Sequence, residues 1–167
     1  MRDVLHTLAR EHREPEHTLS RLNASLVERG GGHFCTLALA FVTRVEANAV
    51  ELSLHLAGHD QPVLLRPDGT TVLVGECGTA LGLMDKVNSP RTVINLPPGH
   101  SLVFYTDGVT ERRRGPNLYG HERMRDEISS LAGFPAAVLA SQLLTSVLAF
   151  SPQQPRDDIA IVALRAL

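Results

Sequence analysis

A chain of 167 residues, 43% hydrophobic and 20% charged, is long enough for one domain with a real core and too apolar for wholesale disorder. A net charge of −2 gives no electrostatic reason to expect nucleic acid or an anionic membrane surface as partner, and no apolar run reaches the ~20 residues of a membrane span. The charged amphipathic start lacks the apolar centre of a secretory signal, and Cys35 and Cys77 are too isolated for a disulfide framework or a zinc set, so a cytoplasmic location is the default expectation.

Val4, Leu5 and Leu8 predict a helix over Arg2 to Arg10. A second helix is expected from Pro15, with Leu19, Leu22, Leu26 and Val27 on one stripe, and Gly30-Gly31-Gly32 stops it. Phe34 to Val42 is almost wholly apolar and predicts a strand buried on both faces. Val50, Leu52, Leu54 and Leu56 alternate with Glu51, Ser53 and His55, the pattern of a half-buried strand. Pro67-Asp68-Gly69-Thr70 is a hairpin turn signal between strands at 63–66 and 71–74, and Pro97-Pro98-Gly99-His100 is a further turn between strands at 92–96 and 102–105. The Gly-rich stretch from Gly75 to Pro90 is the longest expected irregular piece. Helical spacing returns over Tyr119 to Leu131 and Pro135 to Phe150; Pro152 and Pro155 end the latter, and a last strand is expected from Ile159 to Leu164. This order, helices, a run of antiparallel strands, helices, then one strand, predicts a single α+β layered domain rather than a βαβ alternation.

Two segments concentrate the chemistry. An apolar strand runs into Thr106-Asp107-Gly108, and another follows Asp157-Asp158. A carboxylate at each of two strand termini, beside a glycine or turn, is how a sheet offers oxygen ligands to a hard divalent cation. The structural alternative is a common Asp-Gly turn and a common surface acid pair. Arg112-Arg113-Arg114 follows the first acid; it reads either as a solvated loop or as guanidinium groups that attract a phosphorylated partner. His59, in a glycine turn four residues after His55, reads as a turn residue or a substrate contact.

Taken in order, these fragments resemble the SpoIIE branch of the metal-dependent protein phosphatase 2C family. Phe34-Cys35-Thr36 is similar to its F-x-T strand, Ala57-Gly58-His59-Asp60-Gln61-Pro62 to its A-G-H-x-x-P turn, and Leu81-Gly82 to its L-G segment. Tyr105 to Glu111 resembles Y-T-D-G-V-x-E, Tyr119 to Arg123 resembles F-G-x-E-R, and Asp157-Asp158-Ile159-Ala160 resembles the final D-D-x-A. The resemblance implies a layered sandwich of two antiparallel sheets flanked by helices. It also implies hydrolysis of phosphoserine or phosphothreonine by a water activated by two Mn²⁺ or Mg²⁺ ions.

By the same resemblance Asp107 and Asp157 hold metal, and Gly108 and Asp158 support the site; His59, from its glycine turn, and Arg112 and Arg113, from their guanidinium chemistry, are candidates for substrate contact. The implied partner is a phosphorylated regulatory protein of the anti-anti-sigma type in bacterial signalling, with neither nucleic acid nor membrane involved. The family's opening G-D-x-x-D and D-x-x-G-H-G segments, which supply the bridging carboxylate, do not occur in the sequence. An N-terminally truncated, partial phosphatase domain over residues 1–167 is therefore expected, with an incomplete site. The alternative is a non-catalytic interaction domain that binds its partner, or a second copy, through residues 1–29.

Overall fold

A computed structural model describes residues 15–46 and 49–167; the helix expected over 2–10 lies outside them. The elements in chain order are α1 (Pro15–Arg29), β1 (Leu37–Glu46), β2 (Ala49–Ala57), β3 (Val63–Leu65), β4 (Thr71–Leu73), β5 (Cys77–Gly78), β6 (Arg91–Leu96), β7 (Ser101–Tyr105), α2 (Asp107–Thr110), β8 (Arg113–Arg114), β9 (Asn117–Leu118), α3 (Gly120–Ser130), α4 (Ala136–Ala149) and β10 (Ile161–Arg165). Helices and largely antiparallel sheets make it an α+β chain, as the element order predicts. The chain divides into two compact units.

The first unit gathers α1 with most of β1, β2 and β6, and with β5. Leu19, Leu22 and Leu26, one turn apart on α1, pack with Ala57 and Leu81, and Leu37, Leu39 and Val87 close the cluster. Most of the expected helix stripe is therefore core of its own unit; Val27 is left at 36% exposure. Asn23, buried on the same helix, accepts a hydrogen bond from the Gly82 amide and donates to the carbonyls of Met84 and Asp85, so one side chain pins the 82–85 turn to α1.

The sheet of this unit corrects two expectations. Its order is β1-β2-β5, with β6 also paired to β2, so among the described residues β1 is an edge strand and β2 is central. Phe34 precedes the strand and is 60% exposed, Val42 is 59% exposed, and no described side chain of β1 is fully buried. From Leu52 to Ala57 every residue of β2 is buried, including Ser53 and His55. Place in the sheet overrode the hydropathy pattern. The two polar residues are tolerated because they are bonded: His55 Nδ1 pairs with the Ser89 carbonyl, and Ser53 Oγ accepts from Arg91 Nε at 3.0 Å. β5 pairs with β2 in parallel, a short departure from the antiparallel pattern.

The second unit is built on an antiparallel sheet ordered β10-β7-β3-β4. β3 and β4 form the hairpin expected around Pro67 to Thr70, with Asp68 Oδ1 accepting from the Thr70 amide at 2.9 Å. The Pro97 to His100 turn does not make a hairpin: β6 pairs with β2, whereas β7 pairs with β3 and β10. Val63, Leu65, Val103 and Tyr105 share a core with Met124 and Ile128 of α3 and Leu139, Leu143 and Val147 of α4. The helical stripes read from the sequence are the faces that cover this sheet.

Candidate metal centre

Tyr105 ends β7 opposite Ile161 of β10. Continued past the strand ends, that antiparallel register sets Thr106 against Ala160 and Gly108 against Asp158. The contacts follow it. The Thr106 amide donates to the Ala160 carbonyl at 3.1 Å; its Oγ1 donates to the Asp158 carbonyl at 2.8 Å and accepts from the Ala160 amide at 2.9 Å. A Cβ on Gly108 would lie under 3.0 Å from the Asp158 carbonyl oxygen and 3.4 Å from that of Asp157. The glycine is therefore required by the close passage of another stretch of chain, a more immediate cause than approach to an ion. Its φ is not in the left-handed region.

Asp107 does not sit in a turn, as the Asp-Gly pair suggests, but opens the single-turn helix α2. The Glu111 amide donates to the Asp107 carbonyl at 2.7 Å, and Thr110 Oγ1 donates to the same oxygen at 3.2 Å. Asp157 Oδ1 accepts from the Asp158 amide at 2.8 Å, which holds its carboxylate against its own loop. Asp107, Asp157 and Asp158 are all exposed. The two acid-bearing segments adjoin through Thr106 and Gly108.

Among the described residues no three His, Cys, Asp or Glu side chains group as a metal cage. Two exposed carboxylates on adjoining segments suit one hard ion that keeps several waters, in the way Mg²⁺ is held by one or two carboxylates and a substrate phosphate. They do not make the two-ion set that the resemblance implies.

The arginines divide. Arg112, open in the sequence to a solvated loop or a substrate contact, is buried, which excludes the solvated loop: its Nη2 donates to the carbonyls of Ser151, at 2.9 Å, and Gln153. Arg113 is exposed and pairs through its backbone with Leu118 in the small β8–β9 ribbon. Arg114 and Arg123 each place a guanidinium over the Phe150 ring, at 4.8 and 4.7 Å from its centroid. A cleft of about 340 Å³ opens between this ribbon and the 153–157 segment, with Gly108, Glu111, Arg112, Arg113, Arg156 and Asp157 in its wall. His59 lies in the other unit, half-buried in the turn after β2; there Gly58 has φ +68° and passes so close to Ala80 that a Cβ would clash with it.

The sequence alone assigns no role to Thr106 or to Arg156. The signal for Thr106 was its place one residue beyond a strand end beside the acid. Nothing local marks Arg156 apart from its neighbour Asp157.

No helix among the described residues is long and apolar enough to cross a membrane. The family model for Stage II sporulation protein E (SpoIIE) matches residues 1–167. Protein IcfG from Synechocystis sp. (strain ATCC 27184 / PCC 6803 / Kazusa) is 25% identical over 111 residues, which is 66% of this chain and 18% of that protein. The PP2C phosphatase domain of SpoIIE from Bacillus subtilis, solved with a fragment of its regulatory domain, superposes with a TM-score of 0.82 at 17% identity, over 98% of this chain and 47% of that one. The RsbU and RsbW domains of Rv1364c from Mycobacterium tuberculosis give a TM-score of 0.80 at 23% identity, over 98% of this chain and 45% of theirs. The chain spans less than half the length of each of these relatives. With its whole length matched and its fold shared, the chain belongs to the SpoIIE family and has the α+β architecture of PP2C phosphatase domains.

Proposed function

We propose that this chain takes part in metal-dependent hydrolysis of phosphoserine or phosphothreonine on a regulatory protein, with Asp107 and Asp157 as the carboxylates that hold Mn²⁺ or Mg²⁺. The observation that carries this reading is the clamp between the two acid-bearing segments, in which Thr106 bonds Asp158 and Ala160 and Gly108 lies against the Asp157–Asp158 backbone. A bound divalent ion supplies a water of lowered pKa and polarises a phosphoryl oxygen. Asp107 and Asp157 bind and orient; Asp158 positions Asp157 through its amide; Arg112 holds the 151–153 loop that leads into the second acid. The protein partner is inferred from the named relatives, which include the RsbU and RsbW domains of one protein and the cell fate determinant SpoIIE. A phosphorylated anti-anti-sigma-type regulator in a cytoplasmic setting agrees with that kinship.

The test is phosphate release from a phosphoserine peptide as Mn²⁺ is titrated. Turnover that rises with Mn²⁺ and disappears in Asp107→Asn and Asp157→Asn supports the reading, and no Mn²⁺-dependent release at millimolar metal rejects catalysis by this chain. A second reading, a non-catalytic interaction domain, is favoured by the lack of a three-ligand group among the described residues. It predicts that Asp107→Ala and Asp157→Ala leave partner binding intact. Contacts through residues 1–29, including a homodimer, belong to this reading; on α1 they would have to use positions other than Leu19, Leu22 and Leu26, which are core.

A further inference from the structure

The cleft beside Asp157 carries three guanidinium groups, Arg112, Arg113 and Arg156, against two carboxylates, Glu111 and Asp157. Its volume of about 340 Å³ is in the range of small-ligand sites, roughly 300–1,000 Å³. Arg112 is 6% exposed; among the described residues both hydrogen bonds of its guanidinium go to neutral carbonyls, and its Nε has no partner. A buried cation whose partners are neutral, with one N–H unsatisfied, is unfavourable unless an anion approaches it. Arg113 and Arg156 are exposed and both line this cleft, one on β8 and one on the segment before β10. Guanidinium forks bind tetrahedral oxyanions through paired N–H donors, where lysines would act only as point charges.

We infer that Arg113 and Arg156 form a phosphate-recognition subsite that works without metal. It takes the phosphoryl group of a phosphorylated serine or threonine side chain, and Arg112 is a positioning residue that fixes the wall through its bonds to Ser151 and Gln153. The anion binding stands on the cleft alone; its assignment to a phosphorylated protein rests on the function proposed above. Asp157 belongs both to this cleft and to the candidate metal centre, so an anion held by the arginines lies next to the second carboxylate. Glu111 and Asp157 oppose any anion, so recognition depends on the arginines outnumbering them and favours a strongly charged group over a single carboxylate.

The whole chain is titrated by calorimetry in EDTA with a phosphoserine peptide, the same peptide bearing serine or glutamate instead, and inorganic phosphate. The phosphopeptide and inorganic phosphate bind, the serine and glutamate peptides bind at least tenfold more weakly, and Arg113→Gln with Arg156→Gln lowers phosphopeptide affinity at least tenfold. A stronger response to phosphopeptide than to inorganic phosphate assigns the subsite to a protein-borne group; equal affinity assigns it to the phosphate alone and overturns the substrate-side claim. The subsite is rejected if wild type binds no phosphate, if the double variant binds as wild type does, or if the glutamate peptide matches the phosphopeptide. Metal-free binding that persists in a chain with no Mn²⁺-dependent turnover rejects the phosphatase reading and keeps the subsite. Mn²⁺-dependent turnover whose KM is unmoved by the double variant rejects the subsite and keeps the phosphatase.

Discussion

Replacing Gly108 by alanine separates two opposing effects at the place where the acid-bearing segments meet. Gly108 is inside α2 with an ordinary φ, so helix propensity alone predicts that alanine stabilises by up to about 1 kcal/mol. The new Cβ, however, lies under 3.0 Å from the Asp158 carbonyl oxygen and 3.0 Å from its carbon. To restore an ordinary contact of 3.4 Å, the Asp158 peptide must retreat by at least roughly 0.4 Å. That peptide is tied to Thr106 by a 2.8 Å hydrogen bond, and the next amide but one is tied to the same hydroxyl at 2.9 Å. Overpacking of this kind costs about 1–3 kcal/mol. Two weakened hydrogen bonds add about 1 kcal/mol. After the helix gain, the net loss is about 1–3 kcal/mol, or a fall in Tm of roughly 2–12 °C for a domain of this size. Urea unfolding gives the free energy, and amide exchange at Ala160 reports the local clamp. Gly108→Ala as stable as the parent, with Ala160 equally protected, would refute the claim that the two segments are in contact.

Three further outcomes follow from individual side chains. Thr106→Val removes both hydroxyl bonds to the 158–160 segment and destabilises by about 1–3 kcal/mol, with faster exchange at Ala160; unchanged exchange would contradict the clamp. Arg112→Met removes the bonds to Ser151 and Gln153 and lowers stability by about 2 kcal/mol in urea, whereas a solvated loop arginine would change it by less than about 0.5 kcal/mol. Burial pushes the Tyr119 phenol above its usual 10.0, with the nearby Glu127 carboxylate adding to the rise and the Ser146 hydroxyl and Arg123 opposing it. The phenol's contribution is therefore fully present below pH 10 and is lost as pH rises through the higher folded value, because the unfolded state releases its proton first. Tyr119→Phe should flatten the alkaline limb of the stability–pH curve; an unchanged limb would show that this group is not its source.

Much of the second unit was legible because its signals are local. Pro67-Asp68-Gly69-Thr70 specifies its hairpin, and Leu139, Leu143 and Val147 state the buried face of α4 before any partner is known. The two acid-bearing strand ends were legible because each borders an apolar run, and antiparallel pairing of β7 with β10 makes those ends adjoin. What failed depends on context. Edge and central placement decide burial in β1 and β2, and neither is written in a single strand's alternation. Pro97 to His100 turns the chain but does not say whether the next strand joins the same sheet. Three consecutive arginines look alike in sequence; only the fold makes Arg112 a buried tether and leaves Arg113 in solvent. α2 is a single turn, too short to show a helical period.

The shared hold of the Asp107 and Asp157 carboxylates on one divalent cation is read out by Mn²⁺ binding to the metal-free chain, followed by electron paramagnetic resonance. One Mn²⁺ binds per chain, with affinity falling at least tenfold in Asp107→Asn and again in Asp157→Asn, while both variants keep the parent's unfolding free energy within about 0.5 kcal/mol. Mn²⁺ that fails to bind, or that binds equally well when either carboxylate is removed, contradicts it.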